Sequence, residues 1–135
     1  MEAIILAGGL GTRLREAVPD VPKPMAPISE RPFLEHLLNY WVGQGVDRFI
    51  CSVGYKWEII QNYFGSSYNG AAIEYSIEKT PLGTGGGVML ALNKLDKKQP
   101  CLLLNGDTFF KVPLANFLKF HNQESAEISL ALRHV

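Results

Sequence analysis

The amino-acid sequence predicts an α/β fold, a doubly wound, mostly parallel sheet with helices on both faces. Three observations point there. Apolar runs of strand length alternate with stretches of helical periodicity along the chain. The first of those runs ends in a glycine-rich turn, as happens at the ligand-binding end of such sheets. The 135 residues are also the size of one domain, enough to bury about two-thirds of the surface the unfolded chain exposes. Parallel neighbours need a long crossover, normally a helix, so regular alternation selects this architecture over a meander of hairpins.

Glu2 to Ala7 is an apolar run closed by Gly8 and Gly9 and reads as a fully buried, central strand. Between Gly8 and Pro27 lie three glycines and Pro19, Pro22, Pro24 and Pro27, a density that resists regular structure. A long loop in so small a domain is usually functional. From Pro32, the pairings Phe33/Leu37/Trp41 and Leu34/Leu38/Val42 repeat every four residues and predict an amphipathic helix stopped by Gly43 and Gly45. Val46 to Val53 predicts a second strand, Lys56 to Phe64 a helix ended by Gly65, and Ala71 to Ile77 a third strand with period-two alternation. A second glycine-rich turn, Gly83 to Gly87, leads into a helix through Leu95. Pro100 to Leu104 then predicts a fourth strand, Pro113 to Phe120 a helix and Glu127 to Leu132 a fifth strand. Nothing follows to cover the fifth strand, so the sheet reads as cut after it, and an edge of that kind favours self-association into a homo-oligomer. No repeat, low-complexity tract or linker divides the chain.

Composition removes several functions. Thirteen basic and thirteen acidic residues give a formal charge of zero, with only short clusters such as Lys94, Lys97 and Lys98. No broad positive field is there to attract a nucleic-acid backbone. Uninterrupted apolar stretches such as Ala3 to Ala7 and Cys101 to Leu104 fall far short of a membrane span. Glu2 and the Gly8-Gly9 pair occupy places where a secretory signal would carry a basic start and a longer apolar middle, so a cytoplasmic location is expected. Cys51 and Cys101 sit in apolar runs and read as buried small hydrophobes. His36, His121 and His134 are isolated, without the spacing of a zinc site.

A glycine turn after the first strand of a doubly wound sheet can cradle phosphates on its backbone amides, which favours a nucleotide ligand. A dinucleotide fingerprint anchored at Gly9 and Gly11 puts Leu14 at its third glycine, and the second strand ends Cys51-Ser52-Val53-Gly54 without an acid for the ribose. A Walker loop needs a Gly-Lys dipeptide, which the sequence lacks.

The remaining pattern is Leu6-Ala7-Gly8-Gly9-Leu10-Gly11-Thr12-Arg13-Leu14, with Lys23 ten residues after Arg13 in Pro22-Lys23-Pro24-Met25. It resembles the signature of the sugar-1-phosphate nucleotidyltransferases, and the resemblance continues through Pro81-Leu82-Gly83-Thr84-Gly85-Gly86 and Asn105-Gly106-Asp107. The resemblance implies a Rossmann-like fold in which residues 1 to 135 form the nucleotide-binding part, without the sugar-binding part. It also implies a reaction: a sugar 1-phosphate oxygen attacks the α-phosphorus of a nucleoside triphosphate, giving a nucleotide-sugar and pyrophosphate. Such transfer needs positioning and positive charge rather than a covalent protein nucleophile. By the resemblance, Leu6, Ala7, Gly8, Gly9, Gly11, Thr12, Arg13, Glu78, Gly83 and Thr84 bind the nucleotide. Arg13 and Lys23 are catalytic, and Asp107 holds magnesium. Arg13 has the fork that matches phosphate oxygens and would hold the departing pyrophosphate. Lys23, between two prolines, loses little entropy when its ammonium is aimed.

Two of these residues also have plainer readings. Asn105-Gly106 between apolar runs is a hairpin signal, whereas the resemblance places Asp107 at the end of a parallel strand beside the triphosphate. The family's second metal carboxylate has no counterpart, since only Glu124 and Glu127 follow Asp107. Glu78 stands where uridylyl and thymidylyl relatives carry a base-reading glutamine; the plainer reading is a solvated glutamate beside Lys79. A carboxylate only accepts hydrogen bonds, which suits the N1–H and N2–H donors of guanine. GTP is therefore favoured, and the resemblance implies a heptose or mannose 1-phosphate as co-substrate. The alternatives are uridylyl or thymidylyl transfer to another hexose 1-phosphate, and a nucleotide-binding module without turnover.

Overall fold

The computed structural model describes residues 1–9 and 21–135. Its strands are β1 (Glu2–Ala7), β2 (Pro27–Ile28), β3 (Arg31–Pro32), β4 (Arg48–Val53), β5 (Ser67–Tyr68), β6 (Ala71–Ile77) and β7 (Cys101–Asn105). Its helices are α1 (Phe33–Gly43), α2 (Trp57–Phe64), α3 (Gly83–Leu92) and α4 (Leu114–Gln123). Five strands form the main sheet in the order β5-β6-β4-β1-β7, and only the β5-β6 pair is antiparallel. β1 is central, as its uninterrupted apolar run predicts.

The winding follows from chirality. From β1 the chain steps outward through α1 to β4 and through α2 to β6, then returns past β1 to β7 by way of α3. Right-handed crossovers in opposite directions along a sheet place their helices on opposite faces. Ala3, Ile5 and Ala7 accordingly pack in the main core with Leu34, Leu37, Leu38 and Trp41 of α1 and Leu114 of α4. Ile4, one residue out of phase, packs with Ile50 and with Ala91 of α3. Each fully buried Leu or Ile contributes about 1.5 to 3 kcal/mol, so α1 is fixed chiefly by its buried stripe. Arg48 ties the amino ends of β1 and β4 to β6 through Glu2 and Glu74. No helix among the described residues is long and apolar enough to cross a membrane.

Three details differ from expectation. The predicted fifth strand does not form: residues 126–135 contain no strand, and Ile128, Leu130 and Leu132 are 80%, 73% and 80% exposed. Alternation defines a face, but a strand also needs a neighbour to take its N–H and C=O groups, and among the described residues β7 pairs only with β1. The fifth strand of the sheet is instead β5, formed by a hairpin whose Asn69-Gly70 turn has φ of +46° and +87°. Finally, Cys51 is buried as expected, but Cys101 is exposed, because it begins the edge strand β7.

Candidate active site

In a doubly wound sheet, ligands bind beyond the carboxyl ends of the strands, where successive crossovers diverge. Here that point lies at β1, between β4 on one side and β7 on the other. A cleft of about 330 Å³ opens there, and of the residues singled out in the sequence, Leu6, Gly8, Gly9, Glu78, Gly83, Thr84 and Asp107 line it. Ser52, Pro81 and Asn105 line it as well. Ala7 is 3% exposed, packs in the core with α1 and is not among the residues lining the cleft. Gly11, Thr12 and Arg13 lie outside the described residues.

Lys23 and Asp107, 84 positions apart, form an ion pair with Nζ 2.8 Å from Oδ2. Local structure positions both. The bond from the Met25 N–H to the Pro22 carbonyl, 2.8 Å, closes a 3-10 turn around Lys23, and Pro24 and Met25 are buried. Asp107 follows β7, where Gly106 N–H donates to the Leu6 carbonyl at 2.8 Å and extends the β1-β7 ladder by one bond. Beyond it, Tyr40 of α1 holds the chain: its hydroxyl donates to the Val112 carbonyl at 2.9 Å and its ring meets Phe109 edge-on. The chain is thus drawn over α1, and the hairpin suggested by Asn105-Gly106 does not form. The Lys23 ammonium and the Thr108 hydroxyl hold the Asp107 carboxyl below its ordinary range, against the opposing effect of burial.

Glu78 is not a freely solvated strand-end residue. Its N–H continues the β4-β6 ladder by donating to the Val53 carbonyl at 2.8 Å. Its Oε2 accepts from the Leu82 N–H at 3.1 Å, just ahead of α3, and its Oε1 accepts from the Ser52 hydroxyl at 3.4 Å. Glycine makes room for that carboxylate. A Cβ on Gly87 would come within 2.5 Å of Oε1, and one on Gly8 within 3.1 Å. Gly9 differs: a Cβ there would meet no described atom within 4 Å. Ser52 was not singled out from the sequence, although a lone hydroxyl in the apolar run Phe49 to Val53 is a readable signal.

A magnesium ion is usually bound through one or two carboxylates, with phosphate oxygens and water completing its shell. Asp107 suits that role: it is ionised, partly exposed and on the wall of the cleft. Among the described residues no group of three or more potential ligands is present.

A cleft at the switch point of a parallel sheet, with Gly8 and Gly9 on one wall and a lysine-carboxylate pair at Asp107, places the chain in the class of doubly wound α/β proteins with a ligand cleft at the strand ends. The chain belongs to the nucleotidyl transferase family, which it matches over residues 2–135. It is 49% identical over 133 residues to D-glycero-alpha-D-manno-heptose 1-phosphate guanylyltransferase of Aneurinibacillus thermoaerophilus, covering 98% of this chain and 57% of that protein. The corresponding protein of Campylobacter jejuni is 47% identical, over 100% of this chain and 58% of its own length. Among solved structures, HddC from Yersinia pseudotuberculosis complexed with GMP-PN superposes with a TM-score of 0.78 at 38% identity, over 89% of this chain and 53% of that one. The chain therefore spans somewhat more than half the length of these relatives.

Proposed function

We propose that this chain binds a nucleoside triphosphate, GTP in preference to others, in the cleft at the carboxyl ends of β1, β4, β6 and β7. It is the nucleotide-binding part of an enzyme that transfers a guanylyl group to a sugar 1-phosphate of the heptose or mannose type, releasing pyrophosphate. The observation that carries this reading is the meeting of Gly8 and Gly9, Glu78 and Asp107 around one cleft, with Lys23 paired to Asp107. The guanylyltransferase names of the relatives supply the base and the sugar class.

The chemistry follows from the groups present. Gly8, Gly9 and Gly11 let the backbone approach the triphosphate, and the Thr12 hydroxyl adds a donor. Arg13 neutralises the pyrophosphate as it leaves. Lys23 has three donors; one is on Asp107, and the others would hold phosphate oxygens of the two substrates near attack distance. Asp107 would hold magnesium, which when bound offsets negative charge on the phosphates. The carboxylate of Glu78 accepts from the guanine N1–H and N2–H.

The test is a thermal-shift panel of GTP, UTP, dTTP and CTP with magnesium, because a ligand that binds only the folded state raises its stability with the logarithm of saturation. GTP is expected to stabilise most; equal shifts with all four would remove guanine from the proposal. A second reading, a nucleotide-binding module without turnover, draws on the fact that of the two carboxylates lining the cleft among the described residues, Glu78 is already engaged by Ser52 and Leu82, which leaves Asp107 for a metal ion. Pyrophosphate release in the presence of heptose, mannose or glucose 1-phosphates separates the two.

A further inference from the structure

Ser52 carries the one hydroxyl in the apolar run Phe49 to Val53 of β4, and it is 1% exposed. A buried hydroxyl is costly without a partner, and Ser52 finds one in Glu78 Oε1. Glu78 Oε2 is held separately by the Leu82 N–H. Gly87 keeps the space between them clear, since a Cβ there would lie 2.5 Å from Oε1 and 3.0 Å from Ser52 Oγ.

An ionised carboxylate has about four acceptor sites, two on each oxygen. Among the described residues, one is used on Oε1 and one on Oε2. Counted over those residues, one site remains on each, and Glu78 lines the cleft. Two acceptors fixed side by side are what adjacent N–H donors on a base require. Held at Oε2 alone, the carboxylate could turn about its terminal torsion, which is broad and has no staggered wells.

We infer that Ser52 is a positioning residue for base selection, bracing the Glu78 carboxylate so that both oxygens present an acceptor to the guanine edge. The inference rests on the guanine reading proposed above and extends it to a residue that touches no substrate.

The experiment measures dissociation constants of this chain for GTP and ITP, with magnesium, by titration calorimetry. The two nucleotides differ only in the N2 amino group. The wild-type chain is expected to prefer GTP. Ser52→Ala should reduce the GTP-to-ITP preference by about fivefold while leaving ITP affinity near the wild-type value, the effect of loosening one hydrogen-bonded restraint. A purely structural role would weaken both nucleotides together and leave their ratio unchanged. An unchanged ratio in folded Ser52→Ala overturns the role of Ser52 and leaves the guanine reading standing. A wild-type chain indifferent to the N2 amino group overturns both. Should Ser52→Ala fail to fold, Gly87→Ala decides, because its Cβ displaces the same carboxylate from the Ser52 side: loss of the preference supports the inference, and its retention overturns it.

Discussion

The acceptor count at Glu78 makes a glutamine in its place informative. In Glu78→Gln the Leu82 N–H must still face an oxygen, so the amide nitrogen turns toward Ser52, whose hydroxyl can accept. One acceptor and one donor then remain for a base, which matches a uracil edge better than a guanine edge. Glu78→Gln should cut the preference for GTP over UTP by at least about fivefold, within the roughly 1 to 3 kcal/mol of a mispaired polar group. Calorimetric titration of both nucleotides checks it, and an unchanged preference removes Glu78 from base selection. Lys23→Ala and Arg13→Ala should each weaken triphosphate binding by at least about tenfold, since each removes a charge-assisted contact. Stability should hardly change for Lys23→Ala, because both members of its ion pair are half-exposed and such pairs are worth about 0 to 1 kcal/mol. Lys23 depresses the Asp107 pKa, so its stabilisation is complete above the ordinary aspartate range, about 4, and is lost as pH falls through the lowered value. At neutral pH the pair is intact, and near-wild-type affinity for the triphosphate in either variant would contradict its assigned role.

Two Asn-Gly pairs show how elements are chosen. Asn69-Gly70 joins β5 to β6 as a two-residue hairpin, with both residues at positive φ. Asn105-Gly106 closes β7 instead, because Gly106 donates to the Leu6 carbonyl and β7 is already parallel to β1. The same dipeptide takes two forms because the partner strand differs. Close approach at the second site leaves no room for a side chain: a Cβ on Gly106 would lie 2.6 Å from the Leu6 carbonyl oxygen and 3.3 Å from Ala7 Cα. Those are mostly backbone atoms of a central strand and cannot swing aside. Gly106→Ala should therefore lower stability by about 1 to 3 kcal/mol, read as a lower thermal midpoint. Gly9→Ala should leave the midpoint nearly unchanged, as nothing described lies within 4 Å of its Cβ, yet weaken triphosphate binding several-fold by blocking approach to the backbone. Equal midpoints for wild type and Gly106→Ala would show that the β1-β7 junction can relax.

At the scale of the whole molecule, the sheet separates two thiols. Cys51 is buried in β4, and burial raises its pKa to about 12; Cys101 is exposed at the start of edge strand β7. A thiol reagent at mild alkaline pH should label one cysteine quickly, with Cys51 reacting only as fast as the core opens. Triphosphate should slow the second phase, because ligand binding stabilises the closed state. Rapid labelling of both thiols would show that β4 is not the protected centre described here.

Much of the fold was legible because its signals are local. The apolar run Glu2 to Ala7, the four-residue spacing from Phe33 to Val42 and the glycine turns each report a preference set by near neighbours. They located β1, α1, β4, α2, β6, α3, β7 and α4 closely, and the alternation implied parallel pairing. The motif residues marked most of the cleft. Other features depended on contacts between distant segments. Glu127 to Leu132 has the alternation of a strand but no partner among the described residues, while Ser67 and Tyr68 became a strand because β6 was beside them. Ser52 gained its position only when β6 and α3 brought Glu78 and Gly87 to it. By itself, the sequence determined the local form of most segments and marked the side chains proposed to carry the chemistry. Tertiary structure decided which strands pair and which charges meet, Lys23 with Asp107 across 84 residues, because pairing and ion-pair geometry depend on the register of segments whose local preferences are silent about one another.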